Sequence, residues 1–160
     1  MENGLYLYGS FIKEIKELIY RHQYEAMKKV NVELIQLYWE IGREIDRQQQ
    51  EQNWGKSVVE VLAKELQKEF PGVQGFSASN LWRMRNFYIE YSGTSNLAPM
   101  VREIGSNLPP LLAEISWSKN CVIMEKCKDP LQREFNIKMT KRYGWTKDVL
   151  INNIENRDLP

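Results

Sequence analysis

"SFIKEIKELIYRHQYEAMKKVNVELIQLYWEIGREIDRQQQ", residues 10–50, decides the fold. It holds no proline and a single glycine, Gly42. Apolar residues recur at Phe11, Ile15, Leu18, then Ala26, Val30, Leu34, Leu37, Ile41 and Ile45. Steps of three and four put them on one helical stripe, read as the buried face. The spacing predicts a helix of about 40 residues, roughly 60 Å long at 1.5 Å per residue. Such a length without internal caps points to a coiled coil or a partner surface. The alternative is a bend near Val30-Asn31-Val32, where β-branched residues flank an asparagine. The polar run "DRQQQEQN", residues 46–53, closes the segment.

Outward from it, residues 54–70 predict a second helix, with Trp54, Val58, Val61, Leu62, Leu66 and Phe70 inside. Its wet face carries Lys56, Glu60, Lys64 and Lys68. Pro71-Gly72 stops it. Ser77 is placed to cap a third helix running to Tyr91. Helix, turn, helix is the DNA-binding pattern, although this turn exceeds the usual 3–4 residues. Residues 92–115 hold glycines, prolines and asparagines without a sustained period. They read as a connector between residues 1–91 and 116–160, with one short helix near Met100–Ile104. Ser118 is a candidate cap for the next helix. Asp129 and Pro130 start another, with Leu131, Phe135, Ile137 and Met139 supplying its apolar contacts, and Gly144 ends it. Thr146 caps a last one. No stretch alternates with period two. The expectation is therefore all-α: a long helix packed with a helix-turn-helix-like unit and a C-terminal group of short helices.

With 160 residues the chain makes one domain, or two small ones sharing a core. Its net charge of +1 means that any basic patch is local. Cys121 and Cys127 sit six apart in one predicted helix and point to different faces, so they do not bridge each other. With the lone His22 they give no zinc-ligand spacing, so neither metal nor cofactor is expected. Unpaired cysteines fit a reducing, cytoplasmic setting. No apolar run reaches the ~18 residues of a membrane span, and "MENGLYLYGS" lacks the pattern of a signal peptide.

On the third helix, at 100° per residue, Leu81, Met84, Phe87, Tyr88 and Tyr91 share one arc that faces the core. Ser79, Trp82, Arg83, Asn86 and Glu90 fall roughly opposite, with Arg85 on a flank. Arginine suits guanine edges, asparagine adenine, and serine either. Arg85 is placed for a phosphate. A second basic region spans 117–147, including Lys119, Lys126, Lys128, Arg133, Lys138, Lys141, Arg142 and Lys147. Local positive excess attracts a phosphate backbone. The candidate DNA contacts are therefore Ser79, Trp82, Arg83, Arg85, Asn86, Lys119, Lys141 and Arg142. Against this stands the ordinary reading: a solvated arginine, a packed tryptophan, and cations that favour a helix C-terminus without any ligand. A second function class is a protein-interaction or homodimerisation module. It would use the long helix through exposed Leu5, Tyr6, Ile35 and Trp39.

An enzyme finds little support. His22 has no acid or nucleophile beside it in sequence. "EIK" at Glu14–Lys16 fits a metal-nuclease string, yet it lacks a preceding aspartate and is expected by chance in a chain so rich in Glu and Lys. There is no P-loop, G-x-G-x-x-G or G-x-S-x-G.

Several motifs together resemble the N-terminal domain of the YhcG-type bacterial family: Tyr38-Trp39-Glu40-Ile41-Gly42, Trp54-Gly55, Phe70-Pro71-Gly72, Gly75-Phe76-Ser77, Asn80-Leu81 and Gly144-Trp145. The likeness runs from about Val30 to Ile154. It implies a helix-turn-helix-like DNA-targeting domain, which in full-length relatives precedes a PD-(D/E)xK nuclease domain in cis. By that likeness this chain is a fragment or a version without the nuclease half. It carries over no catalytic residue. The chain departs from the family pattern near Lys119–Asn120, where histidine is usual, and at Asn136, where tyrosine is.

Overall fold

The computed structural model describes residues 2–93 and 108–157, with side chains over 7–93 and 108–156. The elements are α1 (Glu2–Gln52), α2 (Lys56–Glu69), α3 (Ala78–Ser92), a 3-10 turn (Pro110–Glu114), α4 (Trp117–Lys126), α5 (Pro130–Tyr143) and α6 (Lys147–Arg157). Among the described residues there is no strand. The fold is all-α, as the periodicity predicts.

The long helix forms as one piece of 51 residues, but its buried face meets the stripe read above only at its end, at Ile45 and in part Ile41. The core side carries Ile35, Tyr38, Trp39, Gly42 and Ile45. Val30 is 68% exposed and Leu37 43%, while Ile35 and Trp39, expected on a free dimer surface, are both 0% exposed. Two stripes share α1, and the regular one misled the periodicity. The true core face is punctuated by Asn31, Tyr38 and Gly42, which do not read as apolar. Leu5 and Tyr6 lie outside the described side chains.

Gly42 explains how α3 comes so close. A Cβ at that position would sit 2.6 Å from the Met84 carbonyl carbon and closer still to its oxygen. Trp39 meets the rings of Phe87 and Tyr88 at 5.7 and 5.0 Å. Contacts that climb α3 as they descend α1 make the pair antiparallel. On α3, Leu81, Met84, Phe87 and Tyr91 are buried, the arc predicted for them. On α2 the buried residues are Val59 and Ala63, whereas Trp54, Val61 and Phe70 are exposed. Leu62 and Leu66, placed inside by their spacing, are half-buried against the same cluster, whose centre on this helix is the smaller pair Val59 and Ala63.

Residues 108–115, expected as part of a connector, belong to the core. Leu108, Leu112, Ala113 and Ile115 cluster with Ile35, Trp39, Phe87, Ile123, Ile137 and Leu150. Asn31 holds this segment: its Nδ2 donates to the carbonyls of Ala113 at 3.0 Å and Ile115 at 2.9 Å. The asparagine marks a tertiary latch where a bend was the alternative. The short helix expected at 100–104 lies outside the described residues.

Caps follow the sequence with one exception. Ser77 accepts from Asn80 N, Asp129 from Leu131 N and Thr146 from Val149 N. Gly144 ends α5 in the left-handed region at φ 61°. The cap of α4 is Ser116, which accepts from Lys119 N at 3.3 Å, and not Ser118. Gly75 has φ 106°, and a side chain there would collide with the Tyr38 hydroxyl, so the turn before α3 needs glycine.

Candidate functional site

The outward face of α3 divides between structural and free groups. Ser79, Arg83 and Asn86 are exposed, and Trp82 and Arg85 half-buried. Trp82 packs against the smaller core cluster of Tyr38, Ile45, Val59, Leu81 and Met84. The Arg85 guanidinium lies 5.6 Å from its ring centroid. Arg83 Nε donates to Glu125 at 3.0 Å, tying α3 to α4. Asn80 is structural: its Nδ2 donates to Gly75 O and its Oδ1 accepts from Trp117 Nε1 at 2.9 Å.

The C-terminal cations are largely answered by carboxylates. Lys141 pairs with Glu114, Lys138 with Glu134 and Lys126 with Glu155. Arg142 sits over the Tyr143 ring. Lys119 is half-buried. Arg133, expected in a surface patch, is 2% exposed. It donates to Cys127 O at 2.6 Å, Met124 O at 3.0 Å and Glu90 at 2.8 Å. Its fork satisfies carbonyls at the end of α4 that no further helical turn reaches. This is why α5 buries Arg133, Asn136, Ile137 and Thr140 while Leu131 stays exposed. The two family departures also fall inside: Asn120 donates to Leu112 O at 2.8 Å, and Asn136 to Gln132 O.

What the structure does bring together near Arg83 is a polar groove of about 280 Å³. Asn80, Ser118, Cys121, Glu125 and Lys147 share it with Arg83. Burial, with Glu125 adding to it, pushes the Cys121 thiol up to about 12. At neutral pH it is a protonated thiol, a poor nucleophile. Among the described residues no three of His, Cys, Asp and Glu gather as a metal site. His22 is exposed on α1.

The larger feature is apolar. Every described side chain from Leu7 to Val30 is exposed, so among the described residues nothing packs on this arm of α1. Beyond it, the same stripe becomes one wall of a groove of about 490 Å³, where Leu37 and Ile41 face Leu62, Leu66 and Phe70 of α2 and its end. A second apolar hollow of about 210 Å³ continues past Ile45 to Trp54 and Val58. The periodicity of α1 marks this surface in the sequence, where a regular apolar stripe reads as an interior face. No helix among the described residues is long and apolar enough to cross a membrane.

The family model of the DUF1016 N-terminal domain matches residues 14–159. The chain belongs to that family, the one its motifs resemble. No curated protein and no solved structure matches it.

Proposed function

We propose that this DUF1016 N-terminal domain is a non-catalytic assembly module that docks a protein helix along α1. One observation carries the reading: an arm of some 24 residues, about 36 Å long, displays an apolar stripe to solvent and continues into an apolar groove. Exposed apolar surface on that scale marks an interaction site in a folded protein. A lone helix in water is marginally stable, and most helices are held by burying an apolar face.

A second reading is nucleic-acid targeting for a nuclease domain in cis. The polar groove where Arg83, Lys147, Ser118 and Asn80 meet favours it. The ion pairs on Arg83, Lys126, Lys138 and Lys141 weigh the other way, because a paired cation has less charge to offer a phosphate.

The test is fluorescence anisotropy with a mixed-sequence DNA duplex at low and moderate salt. It is run on the wild-type chain, Arg83→Ala with Arg85→Ala, and Ile15→Glu with Leu18→Glu. The assembly reading expects flat anisotropy and an associated mass that changes only in the arm variant. Binding that weakens steeply with salt and drops in the arginine variant, with an arm variant that associates like wild type, would replace it with the nucleic-acid reading.

A further inference from the structure

The stripe on α1 has a symmetry that names its partner; this step rests on the assembly reading above. Phe11, Ile15 and Leu18 lie 15, 11 and 8 residues before Ala26. Leu34, Leu37 and Ile41 lie 8, 11 and 15 residues after it. Ile45 is matched likewise by Leu7, and Val30 alone of the stripe lacks an apolar counterpart, its place being taken by His22; the apolar spacing otherwise reads the same in both directions. A helix with such a pattern is complementary to itself turned end for end.

A two-fold axis needs this property, because each contact between copies must occur twice. Two α1 helices crossing antiparallel at Ala26 oppose Phe11 with Ile41, Ile15 with Leu37, and Leu18 with Leu34. The outermost of these contacts falls about 22 Å from the axis on either side. Steps averaging slightly above 3.6 make the seam wrap with a right-handed twist.

The groove lies where this alignment needs it. Leu37 and Ile41 form its α1 wall, and the residues brought opposite them are Ile15 and Phe11 of the other copy, 39% and 57% exposed. The arm and the groove, both left open among the described residues, are thus the two halves of one contact.

Charge favours the same orientation. Antiparallel alignment sets Glu25 of one copy opposite Met27 of the other, one residue from Lys28, on both sides of the axis. A parallel, in-register pair would align each lysine with its own copy, a like-charge arrangement that selects against that partner geometry, and would leave both grooves open.

We propose that two copies of this chain pair antiparallel along α1, with Ala26 on the two-fold axis and each arm closing the groove of the other copy. The test uses full-length chains of different tag size, one carrying Ile15→Cys and the other Leu37→Cys. They are mixed, equilibrated and oxidised, with the wild-type chain as the background for Cys121 and Cys127. Both positions are exposed on α1, and circular dichroism checks that each variant keeps its helix content. The mixed 15–37 disulfide is expected as the dominant product, several-fold above 15–15 and 37–37. Dominant 15–15 and 37–37 products would overturn the antiparallel pairing and leave α1 as a docking surface. A single-chain mass at every concentration, with no cross-link above background, would overturn the second copy as partner. The assembly reading itself falls separately, on salt-steep duplex binding by a chain whose arm substitutions are silent.

Discussion

Gly42→Ala separates tertiary packing from helix propensity, because the two predict opposite signs. Alanine is favoured over glycine in a helix interior by about 1 kcal/mol, so the substitution stabilises wherever space permits. At Gly42 it does not. The added methyl meets the carbonyl of Met84 and the amide nitrogen of Arg85, and these are backbone atoms, unable to rotate away. Relief requires α1 and α3 to move apart. That loosens Trp39, Leu81, Met84 and Phe87, all fully buried at this interface. A radial gap of about 0.5–1 Å already forfeits a quarter to a half of a dispersion contact. Overpacking of this kind costs up to about 3 kcal/mol. Set against the propensity gain, the net loss is about 2 kcal/mol. With a urea m-value of about 2 kcal/mol/M, the midpoint falls by roughly 1 M. The assay is urea unfolding followed by circular dichroism and tryptophan fluorescence, at one fixed protein concentration because association shifts apparent stability. Gly9→Ala is the control: nothing lies within 4 Å of a Cβ there, and it leaves the midpoint unchanged or raised. An unchanged or higher midpoint for Gly42→Ala would refute the close approach of the two helices.

Other expectations follow from the same contacts. Arg133→Ala removes the buried fork that holds the end of α4 and lowers stability by about 3 kcal/mol; Arg133→Lys recovers little, since an ammonium cannot reproduce the fork, and thermal melts of both compare them. Asn31→Ala strips two carbonyls of their donor and costs about 1–2 kcal/mol by urea titration. Burial raises the ionisation of both Cys121, to about 12, and Tyr91. For such groups the unfolded chain ionises first, so their contribution is complete below about pH 9 and is lost as pH rises toward 12; stability measured against pH should decline across that window and stay flat just below it. In the same vein, iodoacetamide labelling at pH 8 should be slow in the native chain and fast in urea.

Much of the fold was legible because local rules and tertiary structure agree. Ser77, Asp129, Thr146 and Gly144 delimit helices as their chemistry dictates, and the arc of α3 faces inward as its spacing requires. The failures share a cause. On α1 the regular stripe belongs to the surface, while the core face is interrupted by a tyrosine, an asparagine and a glycine that serve particular contacts. On α5 the interior is polar because α4 needs a donor for its last carbonyls. Residues 108–115 look like a linker because prolines and glycines shape the 92–115 segment, yet the apolar side chains at its end are what the core buries. Neither Arg133 nor Asn31 announces its partner in sequence: Asn31 reaches backbone carbonyls more than 80 residues on, and Arg133 turns back to carbonyls of the preceding helix end and to Glu90 of α3. The candidate nucleic-acid residues were found as a helix face, which the structure keeps, but the acids that pair with Arg83 and Lys141 come from other elements and are invisible to a single-helix projection.

An assembly surface along the exposed stripe of α1 makes the mass of the protein depend on its concentration. Sedimentation velocity over a concentration series tests it most directly, on the wild-type chain beside Ile15→Glu with Leu18→Glu. The wild-type mass is expected to rise from one chain to two with concentration, and the arm variant to stay at one chain with its helix content unchanged. A wild-type chain that sediments at a single-chain mass throughout, indistinguishable from the arm variant, would contradict it.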